Sequence, residues 1–517
     1  MIIKILRILI SLLLLKACKA AEPIPNFDLS STLLDPTKTG FTIGASALSG
    51  ENFGQSLDTA GDINGDGYDD IIIGARSQNG NTGAVYVIYG GPSSGFMNID
   101  TSSPALDPAT TGFTITGNAV NDAFGERVSR AGDIDNDGYD DFIIGVPAKE
   151  GGRGAAYVMY GGPKPSLLNI DLSTTTLNPA RGFMIRGANG GDEFGWSVNP
   201  AGDLNKDDYD DIIIGAPVRN GVQGAAYVIY GGPKSSISLI DLSSVTLNPT
   251  STGFTIIGNS AGNLFGRWVN TAGDINNDGY DDIIIGAPGF NGGKGASYLI
   301  YGREKSLSSN IDLSLLALDP STTGFTITGE IAGDQLGLSV STAGDINKDG
   351  FDDIMIGANT KNNNKGVVYV IYGGPKSSLP NIDLATTALS PTAGIIITGS
   401  DNDLLGWPVT PGGDINGDGF PDMIIGGYGH DSHRGAVYVM YGSSNSLLSN
   451  IDLGSTPLDP LTTGFTLLGN SIGDTFGFSA NAGDINNDGY NDLIIGAYGK
   501  NSASGIAYVI HASIFFL

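Results

Sequence analysis

An Asp-rich nonapeptide, Asp-x-Asn-x-Asp-Gly-x-x-Asp or a near variant, begins at Asp62, Asp133, Asp203, Asp274, Asp345, Asp414 and Asp484. Successive starts lie 69 to 71 residues apart, and no insert exceeds the period. A chain of 517 residues would by length alone divide into several domains; a repeat of this kind overrides that expectation and implies one array. Each period carries the same strand signals in the same order. In the third, Phe194-Gly195-Trp196-Ser197-Val198 precedes the Asp loop and Asp211-Ile212-Ile213-Ile214-Gly215 follows it. Then come Ala225-Ala226-Tyr227-Val228-Ile229-Tyr230 and, after a longer connection, Gly253-Phe254-Thr255-Ile256-Ile257-Gly258. Short β-branched and aromatic runs bounded by Gly, Asn, Asp and Pro are strands; we label the four A, B, C and D.

Four antiparallel strands repeated seven times predict an all-β fold, a seven-bladed β-propeller of four-stranded antiparallel blades. A D-type segment at residues 40–44 precedes any A strand, and the last repeat ends on its C strand. The N-terminal segment is therefore expected to supply the outer strand of the seventh blade, closing the ring and protecting its edges. An open solenoid of Asp-rich turns is the other architecture to weigh, but its period is about nine residues.

The loops have the chemistry of a hard-cation site. Calcium takes six to eight oxygens from carboxylates, amides and carbonyls. Alternate residues 1, 3 and 5 of a tight loop turn oxygens inward, residue 7 offers its carbonyl, and Gly at position 6 permits a positive φ. An EF-hand would place Glu at position 12; here position 12 is apolar, Ile73 in the first repeat, and Asp at position 9 must serve instead. The candidate ligands in the first two loops are Asp62, Asn64, Asp66, Tyr68 and Asp70, then Asp133, Asp135, Asp137, Tyr139 and Asp141. The third and fourth have Asp203, Asn205, Asp207, Tyr209 and Asp211, then Asp274, Asn276, Asp278, Tyr280 and Asp282. The fifth and sixth have Asp345, Asn347, Asp349, Phe351 and Asp353, then Asp414, Asn416, Asp418, Phe420 and Asp422. The seventh has Asp484, Asn486, Asp488, Tyr490 and Asp492. The aromatic residue acts through its backbone carbonyl. Up to seven Ca²⁺ ions are expected. The second loop, with four carboxylates, should bind tightest; the third, with Asp208 in place of Gly, should bind weakest.

This also locates the acidity. The chain has 54 Asp and Glu against 26 Lys and Arg, a formal net charge of −28, which argues against nucleic acid as a partner. The seven nonapeptides hold 28 of those 54 acids, so much of the charge is a coordination inventory. At the N-terminus, Lys4 and Arg7 lead into an apolar stretch that ends in small residues near Ala20. Residues 1–20 read as a secretory signal and 21–517 as the propeller, which predicts a secreted or surface protein with no transmembrane helix in the mature chain. The only cysteine, Cys18, lies in that segment; Leu15-Lys16-Ala17-Cys18 also resembles a bacterial lipobox, and lipid anchoring there is the alternative.

Phe-Gly before the loop and Gly-Ala-Pro after it, as in Phe194-Gly195 with Gly215-Ala216-Pro217 and Phe265-Gly266 with Gly286-Ala287-Pro288, resemble the FG-GAP repeats of the integrin α-subunit N-terminal β-propeller. The repeat opening Asn169-Ile170-Asp171-Leu172 is similar to the start of integrin α chains. Leu336 and Leu405 replace the Phe; Arg76, Asn359, Tyr428 and Tyr498 replace the Pro. The resemblance implies a calcium-binding adhesion-type module. With no stalk or inserted domain in the sequence, an integrin-like propeller is expected and not an integrin. It also implies that the D–A and B–C loops form the ligand face, for an extracellular protein or glycan.

On that face the B–C loops carry Arg76, Lys149, Arg153, Arg219, Lys294, Lys361, Lys365, Arg434 and Lys500. Trp196, Arg267, Trp268 and Trp407 sit just after the Phe-Gly or Leu-Gly position and are the candidate ligand-binding residues, since exposed aromatics beside Arg suit an interface. No catalytic set is evident. Only His430, His433 and His511 exist, the first two sharing a loop with Asp431, and a nucleophilic triad needs a placed histidine. The expectation is a binding module and not an enzyme; a hydrolase using carboxylates of the central channel is the alternative.

Overall fold

A computed structural model of the chain describes residues 27–44, 50–101, 106–234, 239–444 and 448–515; the expected signal segment and Cys18 lie outside these residues. The described residues form seven sheets, the blades of a propeller. In the third blade, Ser197–Gly202, Asp211–Ala216, Ala225–Ile229 and Gly253–Ile257 pair antiparallel in sequence order. Strand B, an unbroken Ile run, is buried at every residue, because neighbouring blades cover both its faces. Strand D alternates buried and half-buried residues, as an outer strand with one wet face should.

Each blade has five strands, not four. The fifth is a two-residue strand that runs parallel to D and comes from the next repeat: Ile311–Asp312 on Gly253–Ile257, for example. This explains the Asn-Ile-Asp repeat opening. Asn310 Oδ1 accepts from the backbone N–H of Thr255 on strand D at 2.9 Å, and Asp312 then caps the following turn through Ser314 at 2.9 Å. Asn98, Asn169, Asn381 and Asn450 bond strand D in the same way, whereas Leu239 takes this register in one repeat.

The Phe-Gly and Gly-Ala-Pro motifs meet between blades. Phe265 is fully buried and sits edge-on to Tyr298 at 5.2 Å. A Cβ on Gly215 of strand B would lie 2.0 Å from the carbonyl oxygen of Gly266 in the next blade, so these glycines permit the backbones to touch. Leu336 and Leu405, at 1% and 0% exposure, fill the Phe position in two blades. Seven apolar clusters lie between adjacent blades; one joins Ile213, Val228 and Ile256 to Ile283, Ile285 and Tyr298.

At the ring closure, Gly40–Gly44 pairs antiparallel with Ile506–Ile510 as strand D of the seventh blade. Phe27–Asp28 adds the parallel fifth strand of the sixth blade, where Arg434 holds Asp28. The A strands line a central channel with a cavity of about 570 Å³. A belt of hydrogen bonds passes from blade to blade along it. Ser129 Oγ donates to Asp58 at 2.8 Å, Asn199 Nδ2 to the Val269 carbonyl at 2.7 Å, Thr410 Oγ1 to the Ala480 carbonyl at 3.2 Å, and Asn481 Nδ2 back to Asp58.

Candidate functional site: the Asp loops and the channel rim

Each nonapeptide folds around its first carboxylate. Asp62 Oδ1 accepts from the N–H of Gly65 at 2.8 Å and Asp66 at 3.0 Å, and Oδ2 accepts from Gly67 at 2.8 Å. Position 6 is left-handed throughout: Gly67 has φ 88°, and Asp208 is held at φ 67°. Asp208 still donates its N–H to Asp203 at 3.0 Å, so the third loop keeps the shape of the others. Position 9 is buried without exposure in all seven loops. Asp70 accepts from Gly90 N–H at 2.9 Å and from Asn64 Nδ2 at 2.8 Å.

This arrangement concentrates uncompensated oxygen. Burial, followed by the neighbouring loop carboxylates, pushes Asp70, Asp141, Asp211 and Asp282 well above the usual carboxylate range. Asp353 is raised to about 8 and Asp422 to about 7, burial being the main cause of each. Asp492 is raised less, to about 6: burial is opposed by His511, whose Nδ1 lies 3.3 Å away. The position-3 oxygens Asn64 Oδ1, Asp135 Oδ1, Asn205 Oδ1, Asn276 Oδ1 and Asn486 Oδ1 are buried with no hydrogen-bond partner, on residues 6–8% exposed. In the fifth and sixth loops the equivalent Asn347 and Asn416 oxygens accept from backbone N–H groups at 2.8 Å. In the second loop, one oxygen each of Asp133, Asp135 and Asp141 lie within 4.8 Å of one another. Buried acceptors without donors, beside crowded carboxylates, fit a hard cation.

Position 8 was not singled out from the sequence and turns out to join blades. Asp140 Oδ2 accepts the N–H of Asp62, in the preceding loop, at 2.9 Å. Asp210, Asp281, Asp352 and Asp69 do the same for Asp133, Asp203, Asp274 and Asp484, each at 2.9 Å. The Asp-Asp doublet at positions 8 and 9 was the available signal.

The four candidate ligand-binding residues gather at the opposite end of the channel. Arg267 lies over the Trp196 ring at 3.8 Å and Arg127 over Trp268 at 5.5 Å. Trp268 meets Trp407 at 5.4 Å, Trp407 meets Phe478 at 5.7 Å, and Phe478 contacts Tyr428 and Tyr498. Arg127, Phe478, Tyr428 and Tyr498 were not among the residues expected here. Burial, with Arg127 next to it, lowers Arg267 to about 10. A groove of about 570 Å³ beside Trp407 is lined by Arg267, Leu338, Tyr428 and Phe478.

Eight of the nine basic B–C side chains pair with carboxylates. Arg76 pairs with Glu126, Lys149 with Asp122, Lys361 with Asp334, Lys365 with Asp401 and Lys500 with Asp474. Arg153, Lys294 and Arg434 reach the fifth-strand carboxylates Asp241, Asp383 and Asp28, and Arg219 lies over Tyr227 at 5.8 Å. These cations tie loops together, so the expected basic face is a set of internal clamps. His430 takes the lysine's place in the sixth blade. Its Nδ1 is 2.7 Å from Asp403 Oδ1, while Tyr438 donates to Asp403 Oδ2 at 2.8 Å. His433 instead stacks on Tyr428, so the two histidines do not converge.

The Asp403 hydrogen bond raises the His430 pKa above 6.5, with Asp431 adding to the shift and burial and Arg434 opposing it. The stabilisation is then fully present below pH 6.5 and is lost as pH rises through the folded-state pKa. Replacing His430→Lys should make this clamp insensitive to pH. Between pH 6 and 8.5 the wild type should lose about 1 kcal/mol relative to the variant, read from paired urea titrations. Parallel curves for the two proteins would remove the role.

These features define an FG-GAP repeat propeller. The FG-GAP repeat matches residues 53–88, 124–159, 194–229, 265–300, 336–371, 406–440 and 476–510, and the chain is a seven-repeat member of that class, similar to integrin α subunits. It is 27% identical over 262 residues to integrin alpha-5 of Xenopus laevis, covering 50% of this chain and 22% of that protein. It is 28% identical over 249 residues to integrin alpha pat-2 of Caenorhabditis elegans, covering 46% and 18%. It is also 33% identical over 192 residues to a phosphatidylinositol-glycan-specific phospholipase D of Bos taurus, covering 34% and 21%. The matched part is thus about a fifth of each of these relatives. No helix among the described residues is long and apolar enough to cross a membrane.

Proposed function

We propose that this chain is a secreted or surface-exposed, calcium-stabilised propeller that binds a protein or glycan, in the manner of an adhesion module, without catalysing a reaction. Residues 1–20 would be removed as a signal. Calcium would be held in each loop by the carboxylates at positions 1, 5 and 9, the position-3 side chain and the position-7 carbonyl. The ion would supply the positive charge that the buried carboxylates lack and would pin strands A and B together.

One observation carries the binding reading: the two faces of the ring repeat differently. The Asp loops are near copies. At the rim, by contrast, the residue after Phe-Gly or Leu-Gly runs Gln55, Glu126, Trp196, Arg267, Leu338, Trp407, Phe478 around the seven blades. A scaffold needs the same residue in every blade. A ligand site needs different residues at neighbouring positions, and aromatic and Arg side chains dominate such sites. The channel carboxylates, the basis of a hydrolase reading, are tied up: Asp58 and the position-8 aspartates accept hydrogen bonds from neighbouring blades.

The test is binding of the full chain to an array of immobilised glycans and extracellular matrix proteins. Trp196→Ala with Arg267→Ala should cut affinity for whatever is retained by about thirtyfold, a typical hot-spot loss. Undiminished binding by the double variant would move the ligand site elsewhere. Turnover of phosphodiester or glycosidic probes, abolished by Asp58→Asn, would favour the hydrolase.

A further inference from the structure

In four of the seven loops a lysine ammonium already sits against the position-5 carboxylate. Lys164, Lys234, Lys305 and Lys376 each come from the C–D connection of one blade and reach the Asp loop of the preceding blade. Lys164 Nζ is 2.7 Å from Asp66, and Lys376 Nζ is 2.7 Å from Asp278. Lys234 Nζ is 2.5 Å from Asp137 and 3.0 Å from Asp135, and Lys305 pairs with Asp207. In each case the partner is the position-5 carboxylate, a candidate calcium ligand.

The ammonium is held in place by an aromatic platform. Lys164 lies over Tyr89 at 4.9 Å, Lys234 over Tyr160 at 4.8 Å, Lys305 over Tyr230 at 4.8 Å and Lys376 over Tyr301 at 4.6 Å. Each ring ends strand C of the blade that owns the loop. Tyr89, Tyr230 and Tyr301 are fixed by hydroxyl bonds to the carbonyls of Pro108, Pro249 and Pro320 at 3.1–3.2 Å. At the equivalent register over the fifth, sixth and seventh loops the sequence has Asn445, Phe515 and Ser93, none of them cationic. All four lysine-bearing loops also contain a buried position-3 oxygen without a partner: Asn64, Asp135, Asn205 and Asn276.

We propose that Lys164, Lys234, Lys305 and Lys376 are tethered counter-cations that compete with calcium for the position-5 carboxylate, dividing the seven loops into four weaker and three tighter metal sites. This rests on the calcium reading above and adds regulation to it. A calcium ion entering one of these loops must share or displace an ammonium that a tyrosine face and a neighbouring blade hold in position. In return, the lysine bridges two blades when calcium is scarce, so these loops stay joined without metal. The second loop, favoured by its fourth carboxylate, carries the ammonium with the most contacts and joins the weaker class.

The experiment is calorimetric titration of the decalcified full chain with calcium chloride, for the wild type and for the quadruple variant K164M/K234M/K305M/K376M. The wild type should show two classes, and the variant should merge them by gaining about tenfold in affinity at the weaker sites, the scale of an ion pair plus a cation–π contact. Melting gives a second readout: the variant should melt lower than wild type in EGTA and level with it in saturating calcium. Single Lys164→Met and Lys376→Met variants serve if the quadruple variant does not fold, and Lys→Arg at the same positions should keep the two classes. Superimposable isotherms for wild type and variant, both binding calcium, would overturn the competition alone, as would equal melting losses with and without calcium. No binding by either protein would overturn the calcium reading and this one with it.

Discussion

Removing calcium with EGTA at pH 7.5 should lower the melting temperature of the full chain by on the order of 10–20 °C. The physical reason lies in the loops. Position 9 is fully buried in every repeat, it sits with two other loop carboxylates, and burial raises its pKa in each case. A buried ionised group without a compensating charge is among the costliest features a fold can carry. A ligand that binds only the folded state, at about 100 times its Kd, adds roughly 2.7 kcal/mol per site. Seven such sites add roughly 19 kcal/mol, against an unfolding entropy of about 1 kcal/mol/K for a ring of this size. The effect should be graded with free calcium, and magnesium should restore little of it, since it prefers strict octahedral geometry and its own waters. Scanning calorimetry in EGTA, calcium and magnesium checks this. A melting temperature unchanged by EGTA would make the loops plain Asx turns that satisfy their own backbone.

Sequence reading went furthest where a residue acts on its immediate neighbours. The nonapeptide's first carboxylate, its left-handed sixth position and its buried ninth all work within a span of nine residues, and the period exposes them seven times over. Asp208 was readable for the same reason: its conformation is dictated by the loop it closes. Residues whose partner lies one blade away were harder to read. The acceptor Asp140 and the donor Asp62 are 78 positions apart, so a position-8 aspartate looks like one more surface acid until the blades are placed side by side. The fifth strand has only two residues, too few for an alternation pattern, and it pairs across a repeat boundary. The B–C lysines and arginines looked like an exposed basic face because their partners sit in D–A loops or outer strands far along the chain, 26 positions away for Lys500 with Asp474, 89 for Lys294 with Asp383 and 406 for Arg434 with Asp28. At the rim, the motif placed Trp196, Trp268 and Trp407 at one end of the channel, but the chain of contacts through Phe478 to Tyr428 and Tyr498 depends on how three blades meet.

Deleting residues 21–46 should prevent the ring from folding as a unit. The described part of that segment supplies two separate closures. Gly40–Gly44 is strand D of the seventh blade and accepts the fifth strand Ile99–Asp100 on its outer side, so its removal also strips a strand from the blade edge. Phe27–Asp28 covers strand D of the sixth blade and carries the carboxylate that Arg434 holds. Phe27 and Leu29 are 5% exposed, and Phe41 and Ile43 are fully buried. Burying four such side chains contributes roughly 6–12 kcal/mol, comparable to the whole net stability of a typical domain, about 5–15 kcal/mol. The deletion also bares the backbone edge of Ile506–Ile510, an unpaired strand edge of the kind that recruits other chains. The expected result is loss of the cooperative melt with oligomers on gel filtration, and recovery of a monomeric, cooperatively melting ring when a peptide of residues 21–46 is supplied in trans. The milder Phe41→Ala should cost about 3–5 kcal/mol and keep the ring closed. A truncated chain that stays monomeric and melts at the wild-type temperature would show that the other six blades close the ring without this segment.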